Sequence, residues 1–315
     1  RMQGAWPRGA ASGQPVSVLR GAVFMNAPHV SHRLDMSAVM PSIRTLPALP
    51  EVVFQLVRSL EDPNLDLGRL EEQVEMDQAL STKLLRVANS SFYGLLRQVG
   101  TVRDAAMVLG FGALRSMAIA AATVNHFATL RLPPDFHYRA FWAHGMACGL
   151  AAELLAREHR EPEGVAFTAG LIHDLGRLVL ASQFPDHLEA CHLHKAKTGC
   201  SSLDAERDVL GITHSQMGAA LARYWHFPVM VVDAIEFHHQ PELAHSPVAQ
   251  VVHLADGLSR GKVCVESGEA VLGEHISRES WARFGVPAAR LLELRQTLES
   301  RMSALDDVLG HAGEG

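Results

Sequence analysis

From Pro47 onward, apolar residues recur at helical rather than strand spacing. Val52, Val53, Leu56, Val57 and Leu60 share one face of a predicted helix, which Glu-Asp-Pro-Asn at 61–64 interrupts. Asp66 is placed as the N-cap of a second helix carrying Leu70 and Val74. Asp77 caps a third, with Leu80, Leu84, Leu85 and Ala88 turned inward. Asn89 to Gly94 closes that helix. Arg103 to Leu109 is a short helix stopped by Gly110, and Ala113 to Leu130 a longer apolar one that ends before Pro133-Pro134. Helical patterning continues through 140–157, 167–182, 201–210 and 214–225, then through a helix opened by Pro228 and ending near His239, and through 248–260. Leu291, Leu294, Leu298, Leu305 and Val308 mark an amphipathic helix, with too few heptads for a coiled coil. In the first half no alternating run demands a strand, and the expected architecture is all-α. Residues 1–36, rich in Gly, Ala, Pro and Ser without a sustained period, are read as a flexible N-terminal extension.

Length and composition narrow the class. At 315 residues, 48% hydrophobic and 20% charged, the chain is an ordinary globular protein with one large or two modest domains. Its 28 Lys plus Arg against 34 Asp plus Glu give a net charge of −6, which argues against a nucleic-acid partner. Four Cys without a C-x-x-C pair fit free thiols in a reducing compartment. The best membrane candidate, Ala105 to Val124, is broken by Arg115, so no membrane is expected and the location is read as cytoplasmic. No phosphate-binding P-loop, dinucleotide fingerprint or nucleophile elbow is present, which excludes nucleoside-triphosphate hydrolysis and serine-hydrolase chemistry.

The unusual number is 18 His. His144, His173-Asp174, His214, His238-His239 and Asp256 each lie in, or at the end of, a predicted helix of the second half. A lone helical His is most often a surface or hydrogen-bonded residue. An ordered set of imidazoles and carboxylates is a ligand set that Fe, Mn or Zn prefers, and helices of a bundle can converge such groups on one point. Asp174 is placed to bridge two ions. In ANSSFYG, Asn89 and Ser90 are read as capping backbone while Phe92 and Tyr93 fill the core, with a recognition surface as the alternative. His187, His192 and His194 around Cys191 are read as an exposed helix face.

These segments resemble a known family. The run LPALPEVVFQLVRSLEDPNLDLGRLEEQVEMDQALSTKLLRVANSSFYG looks like the start of an HDOD domain, as does TVRDAAMVLGFGALRSMAIA. AFTAGLIHDLGRLVL and HSQMGAALARYWHFPVMVVDAIEFHH resemble its central and later helices. The resemblance implies an HDOD domain over 41–260, with an N-terminal helical subdomain over 41–130 packed on an HD-like helical half over 131–260. A C-terminal helical extension over 261–315 follows. HDOD proteins are similar to the HD phosphohydrolases and the HD-GYP cyclic-di-GMP phosphodiesterases, and are generally regarded as bacterial signal-output modules.

Three departures from the catalytic relatives stand out. HHQPELAHSPV lacks the GYP loop, Arg177 stands where the HD-GYP enzymes carry Lys, and Ala140 stands where three-metal members carry Glu. Arg is still cationic and suits a phosphate contact, but it is not a Lys equivalent. Two readings follow. In the first, the protein is a non-catalytic regulatory module that contacts signalling proteins. In the second, it is a metal-dependent phosphohydrolase. There His144, His173, Asp174 and Asp256 hold one ion, while His214, His238 and His239 hold another bridged by Asp174, and Arg177 steadies the phosphate.

Overall fold

A computed structural model of the chain describes residues 33–309, apart from 62–66, 90–97, 129, 262, 267–268 and 274–275. The segment read as a flexible extension falls outside these residues up to position 32. So do Asp66, Ser90, Phe92 and Tyr93, and the side chains of Leu70, Leu305 and Val308.

The described residues form α1 (Met36–Thr45), α2 (Glu51–Arg58), α3 (Leu67–Glu75), α4 (Gln78–Ala88), α5 (Val102–Leu109) and α6 (Phe111–Phe127). Then follow α7 (Tyr138–His159), α8 (Glu163–Ile172), α9 (Leu175–Gln183), α10 (Pro185–Thr198), α11 (Ser202–Val209), α12 (His214–Tyr224), α13 (Val229–Phe237) and α14 (Pro247–Ser259). A short hairpin of β1 (Val263–Glu266) and β2 (Glu269–Leu272) precedes α15 (Arg278–Phe284) and α16 (Ala288–Leu309). The fold is all-α, with this hairpin as its only sheet among the described residues.

Several ends follow from the caps read in the sequence. Leu80 N–H donates to Asp77 Oδ1 at 3.0 Å, so Asp77 starts α4. Gly110 ends α5 with φ +86°, a conformation open to glycine. The Asn89 side chain donates to Val99 O and accepts from Val99 N–H, which satisfies both backbone groups of Val99. The inward residues Val53, Leu56, Val57, Val74, Leu80, Leu84 and Ala88 are buried, as the periodicity predicts.

Three elements differ from expectation. Helix α1 lies partly within the segment read as extension. Asp35 caps it through Ala38 N–H at 2.9 Å, and Leu34 N–H donates to Leu210 O, which joins it to the second half. The predicted helix 167–182 is broken at His173-Asp174 into α8 and α9. The C-terminal region is not wholly helical: VCVE and EAVL pair antiparallel, Val263 with Leu272 through Glu266 with Glu269. The Val residues of these two segments favour strand by propensity.

The core is continuous. Phe127 at the end of α6 packs on Trp142 of α7 and Trp225 after α12, with ring centroids 6.0 and 5.4 Å away. Close helix approach needs small residues. A Cβ on Gly145 would lie 2.5 Å from Leu171 O, and one on Gly170 would lie 2.9 Å from Cys148 O, so α7 and α8 touch backbone to backbone. Gly176 is tighter: its Cβ would lie 1.7 Å from His214 O. This contact draws the break after α8 against the start of α12. The stretch Glu163–Gln183 is long and apolar enough to cross a membrane, but 89% of its most apolar window is buried in this core.

Candidate metal centre

Helix ends bring the predicted residues together. His173 and Asp174 occupy the break between α8 and α9, and His214 opens α12 under a Thr213/Gln216 capping box. His238 and His239 follow the last residue of α13, while Asp256 lies in the last turn of α14 and His144 in the second turn of α7. All seven candidate ligands converge. His214 Nε2 is 3.2 Å and His238 Nε2 is 3.8 Å from Asp174 Oδ1, and His239 Nε2 is 3.1 Å from His214 Nε2. On the other side of Asp174, His144 Nε2 is 4.0 Å and His173 Nε2 is 3.6 Å from Oδ2. Asp256 Oδ1 lies 3.0 Å from His144 Nε2 and 3.6 Å from His173 Nε2.

The outer hydrogen bonds fix the rings. His173 Nδ1 donates to Gly170 O at 2.7 Å and His238 Nδ1 to Ile235 O at 2.8 Å. His214 Nδ1 donates to Glu206 at 2.7 Å, and Glu206 also accepts from His214 N–H at 2.7 Å. Each of these imidazoles therefore turns Nε2 toward the centre, which is how outer carboxylates and carbonyls prepare histidine ligands. His173 Nε2, His238 Nε2 and Asp174 Oδ1 are buried without a hydrogen bond of normal geometry. Buried polar atoms left unpaired call for a partner. Two Nε2 atoms 3.1 Å apart also match the spacing of nitrogens bound to one ion at about 2.0–2.1 Å. The donor set fits a divalent metal in the group Asp174, His214, His238 and His239, and His144, His173 and Asp174 form a second such group.

Charge is arranged to match. Burial favours a neutral Asp174, but Arg177 and His173 hold it well below the usual carboxylate range. Burial likewise opposes the charged forms of Asp256 and Glu206; the adjacent His144 and His173 rings and the charge of Arg260 lower the first, and the charge of His214 lowers the second. Burial pushes His238, His239 and His144 down, so these imidazoles are neutral, the form that binds metal. Burial works against a charged His214 too, but Glu206 outweighs it and raises the group. His173 is likewise raised, because Cys148, Asp174 and Asp256 outweigh its burial.

Arg177 lies with Nε 3.1 Å from Asp174 Oδ1 and about one-third exposed, on the wall of a cavity of about 200 Å³ that Lys195, His192 and Glu206 also line. Sequence reasoning missed three participants. The sequence pattern places Glu206 only within the predicted helix 201–210, although it orients His214. Arg260 donates through Nη2 to His144 Nε2 at 2.7 Å and to Asp174 Oδ2 at 3.2 Å, and through Nε to Asp256 Oδ1 at 2.6 Å. Its signal was the four-residue spacing from Asp256 in ADGLSR, which sets both on one helix face. Cys148, fully buried, forms a further group of possible donors with His173 and Asp256. Beside Cys191, the His194 ring pairs with Asp208 at 3.1 Å.

An all-helical bundle with a His/Asp centre at its helix breaks defines an HD-like protein. The chain belongs to the HDOD domain family, whose pattern matches residues 46–241. An HDOD domain protein of unknown function from Geobacter sulfurreducens has the same fold (TM-score 0.71, 22% identity, 87% of this chain and 99% of that one). A candidate phosphohydrolase from Shewanella amazonensis SB2B aligns with TM-score 0.69 and 25% identity over 87% of this chain and 98% of that one. A candidate signal transduction protein from Marinobacter aquaeolei VT8 aligns with TM-score 0.68 and 27% identity over 90% of this chain and 61% of that one. A Treponema pallidum protein is 26% identical over 213 residues; the match takes in 67% of this chain but spans only 40% of that relative.

Proposed function

We propose that the protein is a signal-transduction module whose His/Asp centre holds a divalent ion as a brace between helices, and whose output is contact with partner proteins. The carrying observation is the buried donor cluster with unpaired Nε2 atoms: His173, His214 and His238 are at most 1% exposed and Asp174 is 4% exposed. Donors this enclosed face one another, and an ion among them would tie α8, α9, α12 and α13 at one point. Asp174, His214, His238 and His239 would hold it, with Glu206 orienting His214. Fe, Mn and Zn all suit imidazole with carboxylate. Ala140, Arg177 and the HHQPELAHSPV segment, which depart from the catalytic pattern, support the non-catalytic reading. The signal transduction description of the Marinobacter relative agrees with it. In this reading the domain spans 41–260, and its 41–130 subdomain presents the partner surface.

The second reading, a phosphohydrolase, rests on Asp174. Its two oxygens face different donor groups, as a carboxylate bridging two ions does. A metal pair there would activate water and polarise a phosphoryl oxygen, with Arg177 beside it to hold the phosphate. The two readings separate by turnover. Metal-loaded protein is incubated with cyclic dinucleotides and an activated aryl phosphodiester. The expected result is no hydrolysis above that of Asp174→Ala. Turnover on the order of 1 per second, lost in Asp174→Ala, would overturn the non-catalytic reading.

A further inference from the structure

We infer that the guanidinium of Arg260 stands in the place of a second cation, so that the centre takes one metal ion beside one built-in positive charge. The inference rests on the reading that the cluster holds a metal. It concerns the half of the centre formed by His144, Asp174 and Asp256.

The geometry is that of an occupied site. His144 Nε2 and Asp174 Oδ2 are 4.0 Å apart. An ion bound to both at about 2.0–2.2 Å would lie between them. Arg260 Nη2 is there already, 2.7 Å from the nitrogen and 3.2 Å from the oxygen. The same guanidinium uses Nε to reach Asp256 Oδ1 at 2.6 Å. The lone pair that His144 would give a metal accepts a proton from Arg260 instead. Arginine suits this role because its planar fork contacts several acceptors and stays charged when partly buried.

The other half is different. Among the described residues no guanidinium hydrogen-bonds to His214, His238 or His239, and the Nε2 of His238 is unpaired. Each oxygen of Asp174 thus faces an arginine, Arg260 at Oδ2 and Arg177 Nε at 3.1 Å from Oδ1, but only Arg260 also occupies the nitrogen of a histidine, whereas Oδ1 still faces the open imidazole nitrogens of His214 and His238. A divalent ion entering the His144 half would have to displace the guanidinium from two carboxylates, at short range from its charge. One entering the His214 half meets Arg177 at one carboxylate oxygen, from the wall of the neighbouring cavity, and no guanidinium on the imidazole nitrogens. The device is local in sequence: Arg260 caps the C-terminus of α14, one turn after Asp256. A cavity of about 770 Å³, lined by His144, Leu258, Ser259, Arg260 and Leu298, lies beside it and gives the side chain room to leave. The consequence is chemical. With Arg260 in place the centre lacks the ion pair that clamps attacking and leaving oxygens in two-metal phosphodiester hydrolysis.

The test is metal stoichiometry, not activity. Chelator-stripped wild type, Arg260→Gln and Arg260→Ala are titrated with Mn(II) alone, desalted and measured by mass spectrometry. Paramagnetic resonance then reports spin coupling between ions about 3.5–4 Å apart. The expected result is one ion with an uncoupled signal in the wild type, and two ions with a coupled signal in both variants. Two ions in the wild type, or one in the wild type and one in the folded variants, overturns the inference and leaves the metal reading standing. No ion in the wild type overturns the metal reading and the inference with it. If neither variant folds, anomalous diffraction from Mn-soaked wild-type crystals decides. Manganese at His214, His238 and His239 with Arg260 still on Asp256 supports the inference. Manganese at His144 with Arg260 displaced overturns it.

Discussion

Replacing Glu206 by Gln removes one charge from behind the centre while almost preserving volume. Glu206 is 5% exposed and accepts two hydrogen bonds from His214, from N–H and from Nδ1–H, each at 2.7 Å. Both reach Oε2, so an amide oxygen in that place keeps them uncharged, while the amide NH₂ takes the place of Oε1, 2.9 Å from the same Nδ1–H donor. A hydrogen bond to a charged group contributes about 1.5–3 kcal/mol, and that is the expected loss of stability in the metal-free protein. At about 2–4 °C per kcal/mol for a domain of this order of size, the melting temperature should fall by roughly 3–12 °C. A second effect adds to it in the metal-loaded protein. Outer partners of a histidine ligand are worth about 10–100-fold in metal affinity, so competition against a chelator should show a loss of that size. Arg207→Ala, an exposed change on the same helix, should stay within about 0.5 kcal/mol of wild type. A fall in melting temperature with unchanged metal affinity would refute the role of Glu206 as the orienter of a ligand. If both stay unchanged, the hydrogen bonds to His214 are not as described.

Further expectations follow from packing and charge. Gly176→Ala puts a Cβ 1.7 Å from His214 O, between backbones that cannot both keep their positions; a destabilisation of about 3 kcal/mol or more is expected in urea unfolding, and wild-type stability would contradict the α9–α12 contact. For pH, Asp174, Asp256 and Glu206 all lie below their ordinary values of 3.8, 3.8 and 4.5 in the folded protein. Groups lowered on folding stabilise fully above their unfolded values and lose that contribution as pH falls through the folded ones. The lowered His238, His239 and His144 begin to cost stability below their ordinary 6.5. The raised His173 and His214 work the other way, stabilising below 6.5 and losing that contribution as pH rises through their folded values. Metal-free protein should therefore lose stability steeply below about pH 4.5, where all three carboxylate contributions fade. An unfolding midpoint flat to pH 3 would refute the charge arrangement.

Much of this was legible in the chain. Asp77 and Gly110 mark helix ends by chemistry that acts within a few residues, and the structure puts boundaries there. The seven His and Asp candidates converge because each sits at or near a helix end that packing draws to one place. Tertiary contacts were less visible. Glu206 and His214 are eight residues apart, across a loop whose path the sequence does not state. Arg260 meets His144 from 116 residues away. The break at His173-Asp174 is hidden by apolar residues on both sides, since a helix buried all round has no exposed stripe to show its phase. Gly176 explains the break only once α12 is seen against it. The hairpin β1–β2 was missed because four-residue strands are too short for alternation to stand out.

The most direct measurement is the metal content of untagged protein purified without chelator and with oxygen excluded, set beside Asp174→Ala. The account predicts close to one equivalent of iron, manganese or zinc in the wild type, little in the variant, and a higher melting temperature for metal-loaded than for stripped wild type. Well-folded wild-type protein that carries no metal and gains no stability from added Fe(II), Mn(II) or Zn(II) would contradict it.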